Sequence, residues 1–564
     1  MKDLGFKKIM DRKTIFAFLL IALVIIFYPV YMQKLTGDKK SPVQKPAETQ
    51  KETPITPTQA PLPAPELLKE KPTAAIAALD TIGAEKIIVV ETPLYSAKFS
   101  SKGGSLIYFH LKRYKDYKDR FVKLTEEGEA DTLKYLSIIF PDSGFSLKKF
   151  NFSSASPDKI ILEKKDQIEK LIFSKKLKTG LEITKEFTFY ADKYSFDLNL
   201  KVAGNKNQFL GRKLYLDWPQ GFPVTEKDKN GDLGYFAAYG YLGGELLEVK
   251  DFDKDLSLSF SRSGKTDWTA TRSKYFLTAL VPQDTNLASG FQVLGREVKD
   301  PQGVTVQKNI AVYLESQIPQ SDSFSQKFTI FLGPIDYFIL KKYKVGLENV
   351  VNLGWKIIRP FSILILWYFV NMFKVIPNYG LVIIIFSILM KVIFYPLSVK
   401  ATKSAMKMQE LQPKIAKLKE RYKDDKQRFN METMKLYKEY KINPLGGCLP
   451  LVIQMPLFYA LYVVFTTSIE LRGAKFIGYL SDLSQADPYY ILPIVMAVTM
   501  FFQMKFSMKD PKQKMMVYIF PIFFFFLFKS FPAGLVLYWT MYNLLSIIEQ
   551  NYVKSKLQPV SAES

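Results

Sequence analysis

Residues 379–397 read YGLVIIIFSILMKVIFYPL. At about 1.5 Å per residue this run crosses a bilayer core of roughly 30 Å. It carries one charge, Lys391, which lies nine residues before Lys400, or about 13 Å deep along the helix axis. An ionised side chain at that depth is costly unless it reaches headgroups, water or a partner. Two readings stay open: snorkelling toward the headgroups, or a water-filled cavity on the cytoplasmic half of a helical bundle. Polar residues on other apolar runs, Gln454, Thr499, Gln503, Thr540 and Asn543, favour the cavity, although each alone also suits helix–helix hydrogen bonding. No acidic residue lies at matching depth, and Glu549 falls nearer the cytoplasmic end. Lys391 is therefore expected to be an unpaired cation that attracts an acidic or polar peptide segment.

Charge sets the topology around this run. Residues 398–443 carry 13 Lys/Arg against 6 Asp/Glu, which places them in the cytoplasm. Further apolar runs at 449–468, 490–504, 515–528 and 534–552 are candidate spans. The run 360–373 is short for a crossing and reads as an interfacial amphipathic helix within 336–376. The cytoplasmic block reads as a helical hairpin. Met408, Leu411, Ile415, Leu418 and Tyr422 recur on one helix face, and Phe429, Thr433, Leu436, Tyr437 and Tyr440 on a second. Asp424-Asp425 is placed to cap the second helix, and Pro413 to start a turn in the first or kink it.

Residues 1–13 are basic and precede an apolar run at 14–32, a retained signal anchor with a cytoplasmic N-terminus. Eight prolines between Pro42 and Pro72 make 33–83 an extended tether. From 84 to 335 the texture turns to strands. Residues 194–202 (YSFDLNLKV) alternate strictly, as a half-buried strand requires. Ile183, Phe187 and Phe189 alternate less perfectly with Lys185, Glu186 and Thr188, and Ala191-Asp192-Lys193 links the two as a hairpin. The expectation is one large antiparallel β-sandwich on the side of the membrane away from the N-terminus. The helical part, 377–552, follows it, with a cytoplasmic tail at 553–564 and six spans in all.

The chain has 564 residues, a net charge of +24, one cysteine (Cys448) and one histidine (His110). No intrachain disulfide or Cys/His zinc site is possible, and any Ser-His-Asp set would need His110, which reads as structural. Cys448 reads as a packed thiol. No glycine-rich phosphate cradle is present. No cofactor, metal or enzymatic activity is expected.

Several longer stretches stand out: Asn443-Pro444-Leu445-Gly446-Gly447-Cys448-Leu449-Pro450, Gln454-Met455-Pro456, Asp487-Pro488-Tyr489-Tyr490-Ile491-Leu492-Pro493, and Phe531-Pro532-Ala533-Gly534-Leu535-Val536-Leu537-Tyr538-Trp539. Leu411-Gln412-Pro413-Lys414-Ile415 and Asp424-Asp425-Lys426-Gln427-Arg428 join them. Together they resemble the YidC membrane protein insertase family in its Gram-negative form.

The resemblance implies a polytopic α-helical membrane protein of the bacterial inner membrane, with a five-helix core and a large periplasmic domain. It implies a hydrophilic groove, open to the cytoplasm and to lipid, whose positive residue recruits the polar tail of a client. Lys391 falls at that residue, most often arginine, with Gln454, Trp539, Asn543, Thr540 and Gln503 lining the groove. Lysine keeps the charge but lacks the planar five-donor fork. Met515, Met516, Phe523 and Phe524 would form a greasy slide for the apolar segment. Lys414, Lys417, Arg421, Lys426 and Arg428 of the hairpin would meet the ribosome and signal-recognition targeting machinery. Other implied partners are nascent membrane proteins, the Sec translocase complex (SecYEG, SecDF) and the lipid bilayer, with the chain active as a monomer. A small-solute transporter using Lys391 as counter-charge is the alternative, although no internal repeat supports it.

Overall fold

The computed structural model describes residues 84–126, 134–177, 180–204, 210–423, 425–440, 449–507 and 514–557. The signal anchor, the tether, the end of the tail and the stretch Asn443 to Cys448 lie outside these residues. The chain forms two compact units that meet in sequence between Val351 and Asn352.

The first unit contains three sheets rather than the two of a simple sandwich. The eight-stranded sheet is antiparallel and holds the expected hairpin. Glu182–Tyr190 pairs with Ser195–Ala203, with Phe189 opposite Phe196. Phe196, Leu198, Leu200 and Val202 are buried. On the partner strand the inward set is Ile183, Lys185, Phe187 and Phe189, so the imperfect alternation there has a cause: Lys185 points inward. The six-stranded sheet packs against this one. An added Cβ on Gly240 would lie 2.2 Å from the Phe291 ring, so only glycine lets that ring approach. The five-stranded sheet includes one parallel pair, Ile87–Glu91 with Lys159–Ile161, which departs from the all-antiparallel expectation. Phe99 joins it to the eight-stranded sheet through Phe187 at 4.8 Å and Phe189 at 5.4 Å.

The eight-stranded sheet ends at Ile168–Lys176, where Lys170 and Lys201 both pair with Glu186 at 2.7 Å. Two short helices, α1 (Lys229–Leu233) and α2 (Tyr337–Lys341), complete the unit. Residues 336–351, grouped in the sequence with the following apolar helix, belong to this unit. Trp268 Nε1 donates to the Val345 carbonyl and Arg272 to the Val350 carbonyl, both at 2.9 Å.

The second unit is helical. It comprises α3 (Arg359–Val375), α4 (Tyr379–Glu410), α5 (Gln412–Arg421), α6 (Lys426–Glu439), α7 (Leu449–Thr467), α8 (Ile491–Ser507), α9 (Lys514–Phe528) and α10 (Ala533–Leu557). Among the described residues α4 alone is long and apolar enough to cross a membrane by length and composition, and the helices at Ile491–Phe506 and Met515–Phe528 are shorter apolar ones.

In α3, Ser362, Ile365, Leu366 and Phe369 are buried, whereas Phe361, Leu364 and Trp367 are exposed. Both of its faces are thus largely apolar. Arg359, Asn371 and Lys374 lie toward its ends and Ser362 is buried, so no polar stripe runs along one side as in an amphipathic helix. Phe369 packs on Phe386 of α4 at 5.3 Å and Phe465 of α7 at 5.7 Å.

The hairpin forms as its pattern requires. Leu411 and Ile415 are buried against Met408, Phe429, Leu436 and Tyr437. Asp425 Oδ1 accepts from the Arg428 amide at 2.9 Å and caps α6. Pro413 sits in the first turn of α5, where its missing N–H costs nothing, so a new helix begins there.

Candidate functional site

Lys391 sits in α4 after the apolar stretch 379–390, with 8% of its surface exposed. It is not unpaired. Its Nζ lies 2.6 Å from Glu549 Oε2, donates to Ser546 Oγ at 2.9 Å and stands 4.8 Å from the Tyr542 ring centroid. Glu549, at 7% exposure, and Ser546, at 3%, are buried as well. The expectation of an unpartnered cation fails for a geometric reason. Helices α4 and α10 run side by side: a Cβ on Gly534 would be 3.3 Å from Ile383, and the Phe386 and Tyr538 rings are 6.1 Å apart. That register sets Lys391 level with Asn543. Glu549 lies six residues further along α10, about 9 Å, and two long side chains cover the gap. Lys391 does snorkel, but onto a carboxylate rather than a headgroup.

Tyr542 and Ser546 escaped the sequence reading, and Glu549 reads there as too near the cytoplasmic end. Their signal was present, because spacings of four and three place them on one stripe of the last helix.

The other expected groove residues divide into separate places. Asn543, 1% exposed, donates to the Met496 carbonyl and to Thr499 Oγ1, both at 3.4 Å, and so links α10 to α8. Thr540 donates to the Val536 carbonyl of its own helix at 2.8 Å. Gln454 is buried on α7 and Gln503 is half-buried on α8. Trp539 lies in an aromatic cluster, 5.1 Å from Phe458 and 5.6 Å from Phe528. It helps to hold α7, α9 and α10 together, and its ring stands 6.3 Å from that of Tyr542, which faces Lys391.

The slide residues also split. Met515 and Phe523 are exposed. Met516 packs with Met500, Met504 and Val517, and Phe524 joins that cluster and the one around Trp539. On the hairpin, Lys417, Arg421 and Arg428 are exposed, and Lys414 Nζ donates to Tyr440 Oη. Lys426 opens α6. Among the described residues no group of three or more His, Cys, Asp or Glu could hold a metal ion. His110 stacks on Phe121 at 5.5 Å within the first unit.

A second built feature closes the loop before α8. Asp487 is 1% exposed. Its Oδ2 accepts from the Leu492 amide at 2.7 Å and from Tyr479 Oη at 3.1 Å, and its Oδ1 from the Tyr489 amide at 2.9 Å. Ala533 and Gly534, at the start of α10, donate to the carbonyls of Gln485 and Leu483 in the same loop.

The family model described as 60Kd inner membrane protein matches residues 371–560, and that described as YidC periplasmic domain matches residues 87–364. A protein of Syntrophus aciditrophicus (strain SB) named membrane protein insertase YidC is 35% identical over 568 residues, covering 97% of this chain and all of its own. One of the same name from Chlorobaculum tepidum is 34% identical, covering 97% of this chain and 95% of its own. A crystal structure of an active YidC insertase with the first transmembrane domain resolved aligns at 19% identity and a TM-score of 0.35, over 83% of this chain and 92% of its own. With such relatives along nearly its whole length, the chain belongs to the YidC membrane protein insertase family.

Proposed function

We propose that the chain inserts and folds integral membrane proteins, and some lipoproteins, in a bacterial inner membrane. In this reading it has six spans, counting the run at 14–32. The β unit is periplasmic, and both termini and the α5–α6 hairpin are cytoplasmic. Lys391 is the groove charge that receives the polar tail of a client, and the exposed side of α9, with Met515 and Phe523, lets the apolar segment pass toward lipid. The hairpin lysines and arginines meet the ribosome and targeting machinery, and the Sec translocase is a partner for larger clients. The chain works without a cofactor and as a monomer.

The observation that carries this reading is a buried cation in the apolar helix α4, in a chain whose near full-length relatives are named insertases. Such a charge is retained in a membrane helix where it has work to do. Neither the relatives nor any internal repeat favours a solute transporter.

The test is reconstitution. The purified chain in liposomes, without ATP, should raise the insertion of a short phage-coat-type client several-fold over empty vesicles, and no stimulation would sink the proposal. Lys391→Glu should impair clients with acidic tails more than Lys391→Arg does. Deleting residues 84–320 should leave insertion in place if the β unit is accessory.

A further inference from the structure

We propose that Glu549 is a resident counter-anion that sets how acidic a client's leading segment must be before Lys391 accepts it. This rests on the reading that Lys391 receives that segment. An arriving carboxylate meets no bare cation. It meets a pair with 2.6 Å between Nζ and Oε2, nearly buried on both sides, and has to take Glu549's place. The step is an exchange of one lysine–carboxylate pair for another, and it leaves the negative charge of Glu549 to be hydrated.

Two features of the site decide the direction of that exchange. Glu549 belongs to the same chain, so its effective concentration at Lys391 is high, and a single client carboxylate competes poorly against it. A displaced Glu549 must find water, because an unpaired buried carboxylate is costly. Clients with several acidic residues near the apolar segment therefore displace it, and those with one do so rarely. Lysine suits such a swap. Its ammonium is a point charge whose three donors turn freely, so a partner can be exchanged without breaking a bidentate fork. Ser546 Oγ at 2.9 Å and the Tyr542 face at 4.8 Å hold the ammonium in place while the carboxylates change over. Glu549 is thus a specificity-determining residue that acts through Lys391.

The experiment uses the full-length chain in liposomes and clients that share one apolar segment but carry zero, one, two or three aspartates in the tail. The readout is the insertion of each acidic client divided by that of the neutral one, and unfolding temperatures confirm that each variant is folded. The wild type should respond weakly to one aspartate and strongly to two or three. Glu549→Gln, nearly isosteric, should raise the one-aspartate ratio by roughly tenfold. Lys391→Gln and the Lys391→Gln/Glu549→Gln double variant should both show no dependence on tail charge. A folded Glu549→Gln whose ratios match the wild type overturns the proposal, and so does one whose ratios fall. A wild type indifferent to tail charge overturns instead the reading of Lys391 on which it rests.

Discussion

The carboxylate of Asp487 accepts the backbone amide of Leu492 at 2.7 Å, reaching forward into the first turn of α8 from outside the helix. The same side chain takes the Tyr489 amide and the Tyr479 hydroxyl, so one buried residue orders the loop and starts the helix. Asp487→Ala should destabilise the helical unit by about 2 kcal/mol, the upper end for loss of a helix cap. Asp487→Asn, which keeps one acceptor, should cost less. Thermal unfolding of the detergent-solubilised chain measures both, and equal stability of Asp487→Ala and wild type would refute the assignment.

The Lys391–Glu549 pair makes a prediction about stability that is separate from insertion. Breaking a buried pair strands a charge and costs about 3 kcal/mol, whereas removing both charges costs far less. Lys391→Gln should therefore lower the unfolding temperature, and adding Glu549→Gln should restore most of the loss. Additive losses in the double variant would mean that the two residues do not interact.

Gly380 stands at the start of α4, where an added Cβ would lie 1.9 Å from the Phe476 ring. Gly380→Ala must push that ring out of its seat, at about 1–3 kcal/mol for overpacking. Phe476→Ala in the same background should recover part of the loss in the same unfolding measurement.

Lys185 gives the β unit a pH dependence. The side chain is fully buried, and Nζ donates to the carbonyls of Leu136 at 2.8 Å and Gly103 at 3.1 Å. Burial pushes its pKa down to about 7, from an ordinary value of 10.5. Between those values the unfolded chain binds a proton that the folded one does not, so this group makes stability rise with pH across that window. Below about pH 7 both states are protonated, and the burial penalty is present in full. Lys185→Met should flatten the rise. Urea midpoints of the full-length chain, read by pulse proteolysis of the β unit, give the wild-type-minus-variant difference, and a difference independent of pH would contradict the assignment.

Much of this architecture is legible in residue order. The strict alternation at 194–202 marks a strand because a pleated chain turns successive side chains to opposite faces. The hairpin follows from the spacing of Leu411, Ile415, Phe429 and Leu436, and the cap from Asp425. Two features resist reading. Lys185 looks like an outward residue because its type is polar, and only two carbonyls contributed from far along the chain explain how the core accepts it. Glu549 looks too shallow to meet Lys391 because depth was reckoned from backbone position, whereas the contact is made by side chains six residues out of register.

The last strand of the eight-stranded sheet, Ile168–Lys176, has a consequence for life in a crowded bilayer. Part of its outer edge is already covered: Ser153 exchanges both backbone hydrogen bonds with Ser174 at 2.9 Å, and Ser156 Oγ accepts from the Ile172 amide at 3.4 Å, while the Ile168 and Ile172 side chains stay exposed. A protein tethered to a membrane cannot dilute itself away from its neighbours, and an insertase would work beside unfolded polypeptide. Lys170, Lys175 and Lys176 along that edge make stacking of a second copy electrostatically unfavourable. Together with the Ser153 bridge, these lysines leave little of that edge for a neighbouring chain to pair with.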